Sequence, residues 1–431
     1  MDPSPIGVRS RLHPRRCSYI QVIHQNGEVD DMILTDIQLN RYADVLLWGL
    51  KTARKGRFRK GDIILLQYET AAVKLAEVLY AKLIDMGMNP VQRPVWTCMM
   101  EQTFYEKSQG RQLIFIPPGE KEMMSHLNGR IFLRAPDSIT HLRDIDPAKI
   151  GKFLVARKPL RDILDRREEQ GVYSWTLCTA PTQELAKQAR SSLRRYSDQI
   201  IRACYLDEEN PVERWQWIYK VVGEIKKWLN DLPVKEFIVE SETIDLRVTP
   251  GEKRKWIGIS GHNIPSFELF LSPDWRGTEG TYFANLPSFR SGNYVEGIRL
   301  TFEKGMVKVL TARAGEAFAN KQIAMDRGAR ALGEFSLTDR RFSRIDRFMA
   351  DTLFDENHGG RFGNCHIAVG SSYSDTYSGN PKELTKNLRR SLGFNDSALH
   401  WDLVNTEKKT VTAVLRTGDR QVIYDSGEFR C

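Results

Sequence analysis

The sequence predicts an α/β N-terminal domain, built on an open and largely parallel sheet, followed by an α+β C-terminal catalytic domain. Three observations carry this reading. Apolar runs of strand length alternate with amphipathic helical stretches from Thr35 to Arg194, the pattern of β-α-β units. Beyond Pro233, short strand-like runs punctuated by glycine replace that alternation. Between residues 262 and 402 lies a concentration of carboxylates and imidazoles in half-apolar settings. The expected organisation is a basic tail with a possible hairpin at 1–29, the α/β domain at 30–178 and the α+β metal-binding domain at 179–431.

In chain order, Met1 to Arg16 carries Arg9, Arg11, Arg15 and Arg16 among prolines and reads as a disordered tail. Cys17 to Val29 suggests a hairpin about Asn26-Gly27. Thr35 to Arg54 has Tyr42, Val45 and Leu46 on one side and Asp36 near its start, predicting a helix. Asp62 to Gln67 is apolar enough for a central parallel strand. Thr70 to Met86 follows as a helix and Pro90 to Trp96 as a strand. Gly129 to Arg134 and Val172 to Cys178 continue the sheet, with a helix expected from Thr182 to Arg194. No glycine-rich phosphate loop follows any of these strands, so nothing points to a nucleotide site.

Asn210 to Leu232 reads as a long helix whose tryptophans, Trp215, Trp217 and Trp228, belong to a core or a domain interface, and Pro233 ends it. Strands are expected at Glu236 to Glu240, Thr243 to Val248 and Lys255 to Ser260. A hairpin about Glu303-Lys304-Gly305 and a helix from Ala314 to Leu332 come next. Gly418 and Gly427 mark late hairpin turns.

Five segments carry the chemistry: Asn263-Ile-Pro-Ser-Phe-Glu268, Leu332-Gly-Glu334, Phe354-Asp-Glu-Asn357, His366-Ile-Ala-Val-Gly-Ser-Ser-Tyr373 and Asn395-Asp-Ser-Ala-Leu-His-Trp-Asp402. On a strand from Ala398 to Val404, His400 and Asp402 point to one face and can reach one cation, while Trp401 turns into packing. His366 lies on an apolar strand running into a glycine turn, where a metal or a backbone carbonyl would satisfy its ring nitrogens. Glu268, Glu334 and Glu356, taken singly, are more often caps or solvated side chains. Clustered with two histidines and an aspartate, they need cations or shared protons to offset their repulsion.

These five segments, in this order and at this local spacing, resemble the thermophilic aminopeptidase (aminopeptidase T) family of two-metal exopeptidases over roughly the last 180 residues. The resemblance implies a metallo-aminopeptidase releasing N-terminal residues from short peptides, with two divalent ions, zinc, cobalt or manganese, held by Glu268, Glu334, His366, His400 and Asp402. It makes Glu356 a further ligand or the acid/base group, a role shared with Glu334, and makes Tyr373 the phenol that stabilises the tetrahedral intermediate. It also implies a homodimer. One departure stands out: Glu356 precedes His366 by ten residues, about five more than the family interval, and His358 in the intervening loop becomes a rival ligand.

Composition narrows the alternatives. An apolar content of 41% and no apolar run near the length of a membrane span describe a globular chain. Six scattered cysteines without a CxxC pair fit a reducing cytoplasm, and Cys365 on its strand faces away from His366 into packing. The net charge of +9 invites a nucleic-acid partner, but no such motif is present. The densest cluster after the tail, Arg340, Arg341, Arg344 and Arg347, reads as a solvated helical face or a substrate-steering patch. Two other functions remain: by the same resemblance, which extends to relatives of these peptidases, a dihydroxypyridine-type ring-cleaving dioxygenase with one Fe(II) on His366, His400 and Asp402, and, from the charge, a non-catalytic basic binding protein.

Overall fold

A computed structural model describes residues 34–380 and 383–431; the basic tail and the Cys17 to Val29 hairpin lie outside the described residues. The first helix, Asp36–Thr52, is fixed by a capping box in which Thr35 Oγ1 accepts from the Gln38 amide and Gln38 Oε1 accepts from the Thr35 amide. Its Tyr42 hydroxyl donates to the Thr179 carbonyl at 3.2 Å, tying the helix to the sheet.

The strands β1 (Ile63–Tyr68), β2 (Asn89–Pro94), β3 (Gly129–Arg134) and β4 (Ser174–Thr179) pair in parallel in the order β2-β1-β3-β4. The helix Val73–Asp85 makes the crossover between β1 and β2. The α/β reading of this half therefore holds, and strand placement agrees to within a few residues. The helix expected from Thr182 to Arg194 is instead two, Gln183–Gln188 and Leu193–Ala203. Arg190 takes a left-handed conformation between them, and Ser192 caps the second.

The C-terminal half opens with the helix Pro211–Asp231, which buries Trp215 fully but leaves Trp217 49% exposed. Two strands follow, β5 (Val234–Ser241) and β6 (Asp245–Val248), then the short β7 (Asn263–Ile264), which adds to the parallel sheet beside β4. Next come β8 (Glu268–Leu271), β9 (Glu279–Ala284), β10 (Ser288–Arg290), β11 (Asn293–Val295), β12 (Ile298–Glu303) and β13 (Met306–Thr311). The chain ends with β14 (Leu332–Thr338), β15 (Asn364–Gly370), β16 (His400–Asn405), β17 (Lys409–Leu415), β18 (Arg420–Asp425) and β19 (Glu428–Phe429). An eight-stranded antiparallel sheet runs β13-β12-β9-β6-β5-β17-β18-β19, and a four-stranded one runs β16-β15-β14-β8.

One expected strand is absent and one expected helix is shorter. Lys255 to Ser260 forms only one isolated bridge, Ile257 with Phe270; Gly258 and Ile259 have positive φ, and a Cβ on Gly258 would sit 2.0 Å from the Glu268 carbonyl oxygen. The helix from Ala314 to Leu332 shrinks to Glu316–Ile323, and Leu332 already begins β14. The arginine cluster lies in turns and is neither a helical face nor a free steering patch. Arg340 pairs with Glu428, Arg341 with Asp339, Arg344 with Glu208 and Arg347 with Asp346.

Candidate metal centre

All the expected ligands come from the four-stranded antiparallel sheet. In its ladder Thr338 pairs with Glu268, Ser336 with His366, Glu334 with Ala368, Ala368 with Asp402, and Gly370 with His400. Residues directly opposite share a face, and so do residues two apart. Glu268, Glu334, His366, His400 and Asp402 therefore converge on one side, with the small Ser336, Ala368 and Gly370 leaving room between them. The other side carries Leu269, Phe335, Leu337, Ile367, Trp401 and Leu403 into the core. Cys365 faces that side and is fully buried, as its position predicts. Gly333 permits the approach of β14 to the end of β15, since a Cβ there would lie 2.4 Å from the carbonyl oxygens of Gly370 and Ser371.

His366 Nε2 lies 3.2 Å from Glu268 Oε2 and 3.2 Å from Glu334 Oε1. His400 Nε2 lies 3.7 Å from Glu334 Oε2 and 3.3 Å from Asp402 Oδ1. Two donor groups result: Glu268, Glu334 and His366, then Glu334, His400 and Asp402, each with its ligand atoms within 4.8 Å of one another. Glu334 belongs to both. The outer ring nitrogens have partners of their own, His366 Nδ1 at 3.4 Å from Asn364 Oδ1 and His400 Nδ1 at 2.9 Å from the Ser371 carbonyl. Those contacts turn both Nε2 atoms inward, the orientation metal-binding histidines require.

Burial and mutual repulsion dominate the electrostatics. Burial pushes the Glu334 carboxyl up to about 7 against a hydrogen bond from His366, and the Glu268 charge pushes the same way. Glu356 is driven well up by burial and by the charges of Glu268 and Asp402. Burial alone would favour neutral imidazoles, yet hydrogen bonds to Glu268 and Glu334 hold His366 well above its ordinary value, and Asp402 holds His400 at about 9. Despite burial, His400 keeps Asp402 down at about 2. Protons here neutralise an excess of carboxylate, a task divalent cations do better. Imidazole nitrogen and carboxylate oxygen without thiolate suit zinc, cobalt or manganese, so the donor set fits such ions.

Glu356 follows the short helix Thr352–Asp355 and stands in the electrostatic field of Glu268, Asp402, His366 and Glu334, but outside both donor groups. Tyr373 leaves the end of β15, its amide donating to Ser272 Oγ at 2.8 Å and its ring 4.7 Å from that of His400. Although Tyr373 is 44% exposed, its partial burial and the surrounding carboxylates push its phenol up, so it remains a proton donor. His358 joins neither donor group. It is buried beside Asp346 and Lys409, which places the rival ligand of the long loop in the core.

Sequence reasoning passed over the supporting residues. Ser336 Oγ donates to Glu268 Oε2 at 3.1 Å, and Arg290 Nη1 donates to the His400 carbonyl at 2.7 Å. Asn357 Oδ1 accepts from the Phe267 amide at 2.5 Å, while its Nδ2 donates to Leu353, binding the Glu356 turn to the Glu268 segment. Strand alternation held the signal for Ser336, two beyond Glu334, and for Asn364, the partner of His366 Nδ1, two before His366.

Comparison with known proteins follows the same lines. A family model described as thermophilic metalloprotease (M29) matches residues 35–429. Aminopeptidase AmpS of Bacillus subtilis (strain 168) is 26% identical over 321 residues, covering 70% of this chain and 77% of its own. Aminopeptidase T of Thermus aquaticus is 28% identical over 307 residues, covering 67% and 73%. The solved structure of wild-type AmpT from Thermus thermophilus superposes with a TM-score of 0.75 at 21% identity, over 91% of this chain and 99% of that one, a likeness of fold.

Proposed function

The chain belongs to the thermophilic metalloprotease (M29) family and is a metallo-aminopeptidase, and from that premise we propose that it hydrolyses the N-terminal peptide bond of short peptides with two divalent ions. The observation that carries the two-ion reading is Glu334, one carboxylate common to two donor groups. Glu268 and His366 would complete the first ion's ligands, His400 and Asp402 the second's. Bound there, divalent cations supply Lewis acidity toward the scissile carbonyl and lower the pKa of water to make a nucleophile near neutral pH.

The chain's own groups do the rest. Glu356, close to the centre but outside both donor groups, would as its carboxylate take the proton from the attacking water and return it to the leaving amine; Glu334 is the alternative shuttle. The Tyr373 hydroxyl donates to the developing oxyanion, a contact worth about 3 kcal/mol by analogy with other oxyanion donors. The sheet's buried apolar face holds Glu268, Glu334, His366, His400 and Asp402 in place before substrate arrives.

The iron reading would draw His366, His400 and Asp402 together as one set, whereas the groups formed divide them around Glu334. This favours the peptidase. We also infer a homodimer, from the resemblance alone, and a cytoplasmic setting, in keeping with free described cysteines. Elemental analysis of purified protein beside Glu268→Ala, followed by a panel of unblocked peptides, tests the proposal. Two ions per chain that fall in the variant, with metal-dependent release of N-terminal residues, are expected. A single iron indifferent to Glu268, or no hydrolysis of any peptide, would sink it.

A further inference from the structure

A cavity lies at the carboxyl edge of the parallel sheet, where ligands of open α/β folds commonly sit. This cavity of about 450 Å³ is lined by residues just past β1, β2 and β3, among them Glu69, Trp96 and Ala135, and by Arg134, and is closed from the other half by Phe289 and Asp351. Its size suits a ligand of two or three residues. Phe289, Ala350, Asp351 and Thr352 also wall the narrow cleft that reaches Glu356 and Asp402. The two spaces thus share one wall. From Asp351 to Glu356 is a single short helix, about 7 Å along its axis.

Arg134 has an unusual set of contacts. Its Nη1 alone donates to both oxygens of Asp351, at 3.1 and 3.0 Å, and Asp351 is fully buried. Among the described residues no protein group bonds Nε or Nη2, the edge whose fork matches a carboxylate, and the side chain stays 32% exposed. Glu69 lines the same cavity, and its Oε2 already accepts from the Ala135 amide at 2.5 Å. Trp96, Phe132 and Phe289 give the walls an apolar surface.

We propose that this cavity receives the part of the peptide beyond the scissile bond, and that Arg134 binds its C-terminal carboxylate. The inference rests on the peptidase reading of the metal centre. The distance to be spanned, roughly 10 Å once an ion pair is added to the helix, is the reach of three extended residues. Arg134 would then set the preference for short peptides, since a tripeptide brings amine and carboxylate to both ends at once.

The test compares one tripeptide with its C-terminal amide on the metal-loaded enzyme. The free acid should have a KM lower by about tenfold, the worth of one charge-assisted hydrogen bond. Arg134→Lys retains a cation beside Asp351 but loses the fork, and its acid-to-amide ratio should fall toward one whatever its absolute rate. Equal KM values in the wild type, or an unchanged ratio in the variant, overturn the proposal. If neither tripeptide is turned over, the peptidase reading has failed; calorimetric titration with the same pair then decides the cavity separately, equal affinities counting against it.

Discussion

Glu334 and His366 meet across the β14–β15 ladder with Oε1 and Nε2 3.2 Å apart, while the other oxygen of Glu334 lies 3.7 Å from His400 Nε2. One carboxylate thus faces both imidazoles. On the proposed two-ion reading, Glu334→Gln should lose both ions and Asp402→Asn only one. Elemental analysis reads the difference, and kcat/KM of Glu334→Gln should fall by at least about a thousandfold, several kcal/mol of lost transition-state stabilisation.

Tyr373→Phe removes a hydroxyl and nothing else. Its kcat should drop by about a hundredfold with metal content unchanged, matching the loss of one oxyanion donor. A variant as fast as the wild type would remove the phenol from the mechanism.

Asn357 is fully buried and satisfies the Phe267 amide and the Leu353 carbonyl. Asn357→Ala leaves both without a partner and should destabilise the protein by about 1–3 kcal/mol for each unsatisfied group. Urea unfolding measures this directly, as a lower midpoint at unchanged slope.

His358 is buried with Nδ1 unpartnered, and burial holds its imidazole down at about 4. In the unfolded chain a histidine titrates near 6.5, so below that pH the unfolded state takes a proton the native state refuses. Stability is therefore present above about pH 6.5 and is lost as pH falls toward 4, by at most about 3 kcal/mol from this residue. His358→Asn should flatten that part of the stability profile relative to wild type. Parallel profiles would contradict the assignment.

Chelation should lower the melting temperature by several degrees, because Glu268, Glu334, Glu356 and Asp402 then crowd one buried site with no divalent cation to offset their repulsion. Restored zinc, cobalt or manganese should reverse the loss. Calorimetric scans with and without each ion read it.

The sequence by itself determined the two-part architecture, most strands, and the identity of the clustered donors. Those signals are local: period-two alternation put His400 and Asp402 on one face, and apolar neighbours marked the His366 strand as buried. Local pattern misled where a turn interrupts an apolar run, as at Arg190 and around Ile259, both with positive φ. Only the tertiary structure decided which strands lie side by side, and with that the register pairing Ser336 with His366 and Ala368 with Asp402. That register made Glu334 common to two donor groups, left Glu356 outside both, and buried His358 elsewhere. Spacing along the chain fixes which way a side chain points within its strand. Which carboxylate stands between two imidazoles depends on hydrogen bonds between strands far apart in sequence, and those are settled only when the sheet assembles.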